Sequence, residues 1–190
     1  MKIAAFRSGR KRAAAGALLL GLAAADVTHA HAYVSATEVN AGWKQDIEIR
    51  IPHGCKGSPT TQVRVKIPDG MVAVMPEVNR SWKVATKMRK LPTPVRGEGG
   101  VMITETVDEI TWSGNTLPDN VFERFVFRAT IPNEPGRMLW FKTIQTCQSG
   151  EHRWVEVPTD ESKMGEFFKS TPEPAAFTRI VKPSRPQYPF

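Results

Sequence analysis

Cysteine is almost missing from this chain: Cys55 and Cys147 are the only two among 190 residues. They lie too far apart for the Cys-x-x-Cys spacing typical of a thiolate metal site. No stretch beyond residue 30 approaches the ~20 apolar residues that a membrane-spanning helix needs. The chain carries 26 Lys and Arg against 19 Asp and Glu, a formal charge of +7. Past the first residues, however, the basic side chains do not cluster with interleaved aromatics, so nucleic-acid binding has little support. No serine, histidine and acid are set out by a nucleophile-elbow motif, which argues against ordinary hydrolytic chemistry. Internal repeats are lacking, and no segment between residues 32 and 158 carries a helical apolar stripe.

What is present begins with a leader. Lys2, Arg7, Arg10, Lys11 and Arg12 form a basic start, and residues 13–25 supply a short apolar core around Leu18, Leu19 and Leu20. Asp26 closes that core, and Thr28-His29-Ala30 offers the small residues that a signal peptidase reads. Residues 1–30 are therefore expected to be a removed signal peptide. With no adjacent arginines in Arg10-Lys11-Arg12, the general secretion route is favoured, and the expected location is periplasmic or secreted. The leader takes five of the cations and one of the anions with it, leaving +3 on residues 31–190. That length suits one modest domain with a proper core.

Export places Cys55 and Cys147 where disulfides persist. A bridge between them is expected, closing a 92-residue separation worth about 4–5 kcal/mol in the chain-entropy account. Beyond the leader the sequence alternates with period two. Ile47, Ile49 and Ile51 interleave with Asp46, Glu48 and Arg50, and Val63, Val65 and Ile67 with Gln62, Arg64 and Lys66. These read as half-buried strands. Pro68-Asp69-Gly70 reads as a turn, and further strands are expected at 71–74, 82–84, 101–103, 107–112, 125–129, 139–144 and 154–157. The 92–100 stretch, with its prolines and glycines, reads as a long hairpin loop. The pattern implies an all-β, antiparallel β-sandwich over residues 31–158. Residues 159–190 are expected to be a short C-terminal extension, one small helix at 160–169 and otherwise an irregular tail, because Pro172, Pro174, Pro183, Pro186 and Pro189 interrupt it.

A cut before His31 has a chemical consequence. The new α-amine and the Nδ1 of the same histidine close one chelate ring on a divalent ion, a donor pair no internal histidine offers. α-Amino groups titrate near pH 7.7–8.0, so the amine is available to metal near neutrality. Nitrogen donors in a tetragonal arrangement favour Cu(II).

Five ordered blocks carry a family resemblance: His31-Ala32-Tyr33-Val34, the stretch from Ile51-Pro52-His53-Gly54-Cys55 to Pro59-Thr60-Thr61, Val65-Lys66-Ile67-Pro68-Asp69-Gly70, Ile110-Thr111-Trp112-Ser113-Gly114, and Gln145-Thr146-Cys147 through His152-Arg153-Trp154. Together they resemble the YcnI-like family of exported copper-binding domains. The resemblance implies an immunoglobulin- or cupredoxin-like β-sandwich and a Cu(II) site called a monohistidine brace, in which the N-terminal histidine is joined by a glutamate and a tryptophan. Here the glutamate would be Glu77, although the run from Met75 to Trp82 departs from the family's proline-rich Gly-Trp pattern. The tryptophan would be Trp154, with Trp140 in reserve. An indole N–H has no free lone pair, so Trp154 would act as a lid over the ion rather than as an ordinary donor.

The other soft or titratable side chains have plainer readings. His53, set just before Gly54-Cys55, reads as structural, with a second imidazole ligand as the alternative. His152 reads as a neighbour of the lid, and Met71 and Met75 as core filler. The resulting expectation is a copper-binding protein, not an enzyme, that captures or passes Cu(II) and exchanges it with an envelope copper importer or copper carrier protein. The alternatives are a copper oxidase or oxygenase with His53 or His152 completing the site, and an envelope interaction module that binds no metal.

Overall fold

The computed structural model describes residues 31–185; the leader assigned to residues 1–30 lies outside the described residues. Among these, twelve strands follow in order: β1 Tyr33–Val34, β2 Glu38–Asn40, β3 Lys44–Ile51, β4 Thr60–Lys66, β5 Val72–Pro76, β6 Lys83–Arg96, β7 Met102–Leu117, β8 Glu123–Thr130, β9 Met138–Phe141, β10 Thr143–Cys147, β11 Glu151–Trp154 and β12 Ala176–Val181. One short helix, α1 at Met164–Ser170, precedes β12. No helix among the described residues is long and apolar enough to cross a membrane.

The period-two alternation becomes two facing sheets. A four-stranded sheet runs β1-β3-β8-β5 and a five-stranded sheet runs β11-β10-β4-β7-β6. Ile47, Ile49 and Ile51 of β3 are fully buried and pack in one core with Val63 and Val65 of β4, Trp112 of β7, and Phe125 and Phe127 of β8. Their polar neighbours in sequence point outward, as a strand with one wet face requires. Pro68-Asp69-Gly70 makes the expected turn, with Gly70 at φ +84° and Pro132 too close for a Cβ there.

A third, three-stranded sheet, β2-β12-β9, closes the sandwich. After Lys142 the chain passes from β9 in this sheet directly into β10 of the five-stranded one. The β2–β12 pair is parallel, a departure from an all-antiparallel arrangement.

Two expectations are corrected. The described residues past 158, 159–185, are not a mostly irregular tail. β12 sits between β2 and β9, and its Ala176, Thr178 and Ile180 are buried. Pro174 and Pro183 bracket this strand instead of interrupting it. The 92–100 stretch is not all loop either, since β6 runs through Pro92 and Pro94 to Arg96, leaving only the Gly97–Gly100 turn. β6 is an edge strand, where a missing N–H is tolerated, and its pairing with β7 shifts between Lys90 and Val95 at those prolines.

Candidate metal centre

Two sheet edges meet at His31. β1, the outer strand of the four-stranded sheet, brings the residues just before it to β11, the outer strand of the five-stranded sheet. There the His31 imidazole meets the Trp154 indole at 87°, with ring centroids 5.5 Å apart. On β11, His152 and Trp154 are two residues apart and share a face, while Glu151 and Arg153 point away. The His152 ring stacks on the indole at 4.7 Å and 26°. His53 completes the row, its ring centroid 6.2 Å from that of His152.

A buried glutamine holds this group together. Gln145 of β10 is wholly buried and pairs in register with His152. Its Oε1 accepts from Trp154 Nε1 at 3.2 Å. Its Nε2 donates to the His53 carbonyl at 2.6 Å and to Thr60 Oγ1 at 2.8 Å. Every polar atom of the amide is thus engaged, and the loop carrying His53 is locked to the strand carrying the tryptophan.

The rest of that loop is held covalently and sterically. Cys55 and Cys147 form a disulfide with Cα atoms 6.0 Å apart, as expected from the sequence. Cys55 and Ser58 exchange two backbone hydrogen bonds, at 2.8 and 3.0 Å. Gly54 lies so close to the Ser58 carbonyl and to Asp119 that any Cβ would collide with them. The glycine after His53 is therefore a packing requirement.

Among the described residues, the two other histidines are oriented through Nδ1. His53 Nδ1 lies 2.5 Å from the Gly54 carbonyl, which can only accept. His152 Nδ1 lies 2.8 Å from Glu173 Oε1, and Glu173 Oε2 also accepts from the Arg153 backbone N–H at 3.0 Å. Glu173 comes from the segment leading into β12, so the C-terminal extension contributes to this group.

The upstream anchor is electrostatic. Ser35, just after β1, donates its backbone N–H to the Glu48 carbonyl at 3.0 Å and its hydroxyl to the Glu48 carboxylate. That hydroxyl, with Arg50 beside it, holds the Glu48 carboxyl below the usual carboxylate range. Arg50 also lies over the Tyr33 ring at 5.9 Å.

Of the residues singled out in the sequence, His31 and Trp154 are brought together and Glu77 is not. The Glu77 N–H bonds the Val126 carbonyl at 2.9 Å, so Glu77 extends β5, the opposite edge of the sheet from β1. Three strand spacings at ~4.8 Å put it about 14 Å from the β1 edge. Its carboxylate lines an outer groove with Asp46 and Arg128. Trp154, expected as a lid, is 2% exposed, and its N–H donates to Gln145 Oε1. Trp140 is elsewhere, beside Phe177 and Phe167, with Nε1 toward Glu161. Met71 is buried as filler, whereas Met75 is exposed. Sequence reasoning missed Gln145 and Glu173. Gln145 stands at an inward position of an alternating strand, which is an available signal; Glu173 stands between prolines and had none.

Among the described residues, no three His, Cys, Asp or Glu side chains lie close enough to hold an ion by themselves. What the arrangement offers is imidazole nitrogen beside a buried indole, at an edge where the chain enters the fold.

No curated protein matches the chain. In structure it is similar to an uncharacterized protein from Nocardia farcinica with an immunoglobulin-like fold, at TM-score 0.59 and 16% identity, over 80% of this chain and 99% of that one. A cohesin module from a family 33 glycoside hydrolase of Clostridium perfringens aligns at TM-score 0.42 and 11% identity, over 80% and 97%. The first of these shows the immunoglobulin-like fold. The model of a domain of unknown function, DUF1775, matches residues 31–177, from the histidine at the sheet edge to the start of β12, and the chain thus belongs to that family, the YcnI-like domains.

Proposed function

We propose that this protein is exported, loses residues 1–30, and binds Cu(II) through the α-amine and Nδ1 of His31. The single observation that carries this reading is the packing of the His31 ring against Trp154 at 5.5 Å. It puts the only residue that processing would turn into a chelate onto a rigid, buried floor. A preorganised donor loses less freedom on binding than a ring on a loose terminus. The indole beneath it limits water on one side and presents an electron-rich surface to a cation.

The role is capture and delivery of copper outside the cytoplasm, exchanged with an envelope importer or carrier, rather than catalysis. Glu77 is left out of the ligand set because it belongs to the far edge of the sheet.

The test is calorimetric titration of Cu(II) into protein whose intact mass corresponds to a chain starting at His31, beside a variant with one glycine added before it. The glycine moves the amine away from the imidazole and is expected to weaken binding by at least roughly tenfold, the scale on which disturbed metal sites respond. Equal affinities would overturn the reading.

A further inference from the structure

We propose that the free edge of β6, from Lys83 to Lys90, takes an added strand from a partner protein, a strand in which apolar and acidic side chains alternate. The surface is distinct from the His31 site, because β5 and β6 end the two sheets at the edges opposite β1 and β11.

The sandwich is open along this side. Between the two edges lies a cavity of about 340 Å³, lined by Pro76 of β5, by Glu77 and Val78 after it, and by Trp82, Val84 and Thr86 at the head of β6. Val84 pairs across the ladder with Trp112 and Thr86 with Ile110, so both side chains share the inner face of the sheet with these buried partners. Val84 is nevertheless 36% exposed, because the facing sheet stops at β5. Met88, opposite the buried Val107, is exposed in the same way. An inner face left uncovered has room for one more strand.

The backbone is open as well. Apart from the ladder with β7, Lys83–Lys90 makes no backbone hydrogen bond among the described residues. An added strand supplies those bonds, and Pro92 and Pro94 end the usable edge. Trp82 is 3% exposed, and its indole N–H has no acceptor among the described residues. Such an orphaned donor is rare, and a peptide strand brings acceptors to this wall.

Charge selects the occupant. From Val78 to Gly97 the sequence holds six cations and no anion. Of these six, only Arg89 is ion-paired among the described residues, with Asp69 and Asp108. A second copy of this chain would set one such run against another, and edge lysines commonly guard against self-pairing. The same lysines attract an acidic strand. Lys83 and Lys87 stand on the outer face, opposite Ser113 and Glu109, and alternate with Val84 and Thr86 on the inner one. A matching strand therefore turns apolar side chains toward Trp82 and Val84 and carboxylates toward Lys83 and Lys87. Glu77 lines the inner side, which the apolar half of the alternation faces.

The experiment is an NMR titration of the isotope-labelled protein with three synthetic peptides. One alternates valine and glutamate over ten residues, the second has lysine for glutamate, and the third is the acidic peptide N-methylated at alternate residues, prepared in both registers. The acidic peptide is expected to slow amide exchange within Lys83–Lys90, to shift the Trp82 indole signal, and to bind at least roughly tenfold more tightly than the basic one. At least one N-methylated register is expected to lose binding, since it keeps the charges but lacks the N–H groups that pair with the edge. Lys83→Glu with Lys87→Glu, a change at two exposed positions, is expected to abolish the effect. Absence of protection in β6 overturns the proposal. So does undiminished binding of both N-methylated peptides, which marks ionic adsorption alone, or undiminished binding by the doubly substituted protein. Protection of β6 that grows with protein concentration in the absence of peptide assigns the edge to a second copy and overturns it as well.

Discussion

The Nε1–H of Trp154 donates to Oε1 of Gln145 at 3.2 Å, and the same amide donates from Nε2 to the backbone carbonyl of His53 at 2.6 Å. One buried side chain therefore sets the position of the ring beneath His31 and of the loop that bears His53. The two parts of the site are about a hundred residues apart in sequence, yet neither can shift without breaking a bond to Gln145. Buried polar groups of this kind are costly to leave half satisfied, so the network acts as a unit.

Replacing Gln145 by leucine is expected to destabilise the protein by about 2–4 kcal/mol, since it leaves the Trp154 N–H, the His53 carbonyl and Thr60 Oγ1 without this partner. Urea unfolding followed by tryptophan fluorescence measures the loss. A change below about 0.5 kcal/mol, the scale of an ordinary surface substitution, would contradict the clamp.

Glu77→Gln is expected to leave Cu(II) affinity unchanged within twofold. The carboxylate lies in the groove with Asp46 and Arg128, at the sheet edge opposite β1. The resemblance implied the reverse. Calorimetry on the chain starting at His31 separates the two, and a tenfold loss would require Glu77 to reach the site from across the sheet.

The isoleucines of β3 and the valines of β4 made the sandwich legible, because an alternation of apolar and charged residues admits one half-buried conformation. His31 and Trp154 were legible through processing and resemblance rather than through pattern. Glu77 was placed by the resemblance alone, and a matched stretch of sequence does not say which edge of a sheet its strand occupies. β12 was hidden because its prolines flank the strand, and a proline count does not distinguish a bracket from a break. Gln145 and Glu173 stayed silent for a different reason. Their roles consist of partners 9 to 92 residues away, and only the folded arrangement pairs them.

The β1 anchor gives a pH dependence whose sign follows from Glu48. Its carboxyl is held below the usual glutamate value, first by the Ser35 hydroxyl and then by Arg50. The stabilisation is therefore fully present above the unfolded value, about pH 4.3, and is lost as pH falls through the lower folded value. Asp46, held down by Arg128, acts in the same direction. Ser35→Ala is expected to cost about 0.5 kcal/mol at pH 7, at the low end for a hydrogen bond because both groups meet solvent. The gap between the variant and the unaltered protein should narrow in unfolding curves as pH falls below the unfolded value of about 4.3. A gap of constant size across that range would show that the hydroxyl acts through packing and not through the carboxylate.

Truncation decides whether the domain ends at residue 158 or includes β12. A chain stopped at Pro158 loses Ala176, Thr178 and Ile180 from the buried interior, leaves β2 and β9 without the strand between them, and removes Glu173 from His152. Burying an isoleucine alone is worth about 1.5–3 kcal/mol. Two unpaired strand edges add to that loss, which is large against a typical total of about 5–15 kcal/mol. The truncated chain is expected to unfold at much lower urea than the full-length chain and to bind a hydrophobic dye. If the chain ending at Pro158 unfolded at the same urea concentration as the longer one, β12 would be an ornament on a finished sandwich. The pairing of Val39 with Ile180 and of Leu139 with Thr178, all of them buried, argues that it is part of the core.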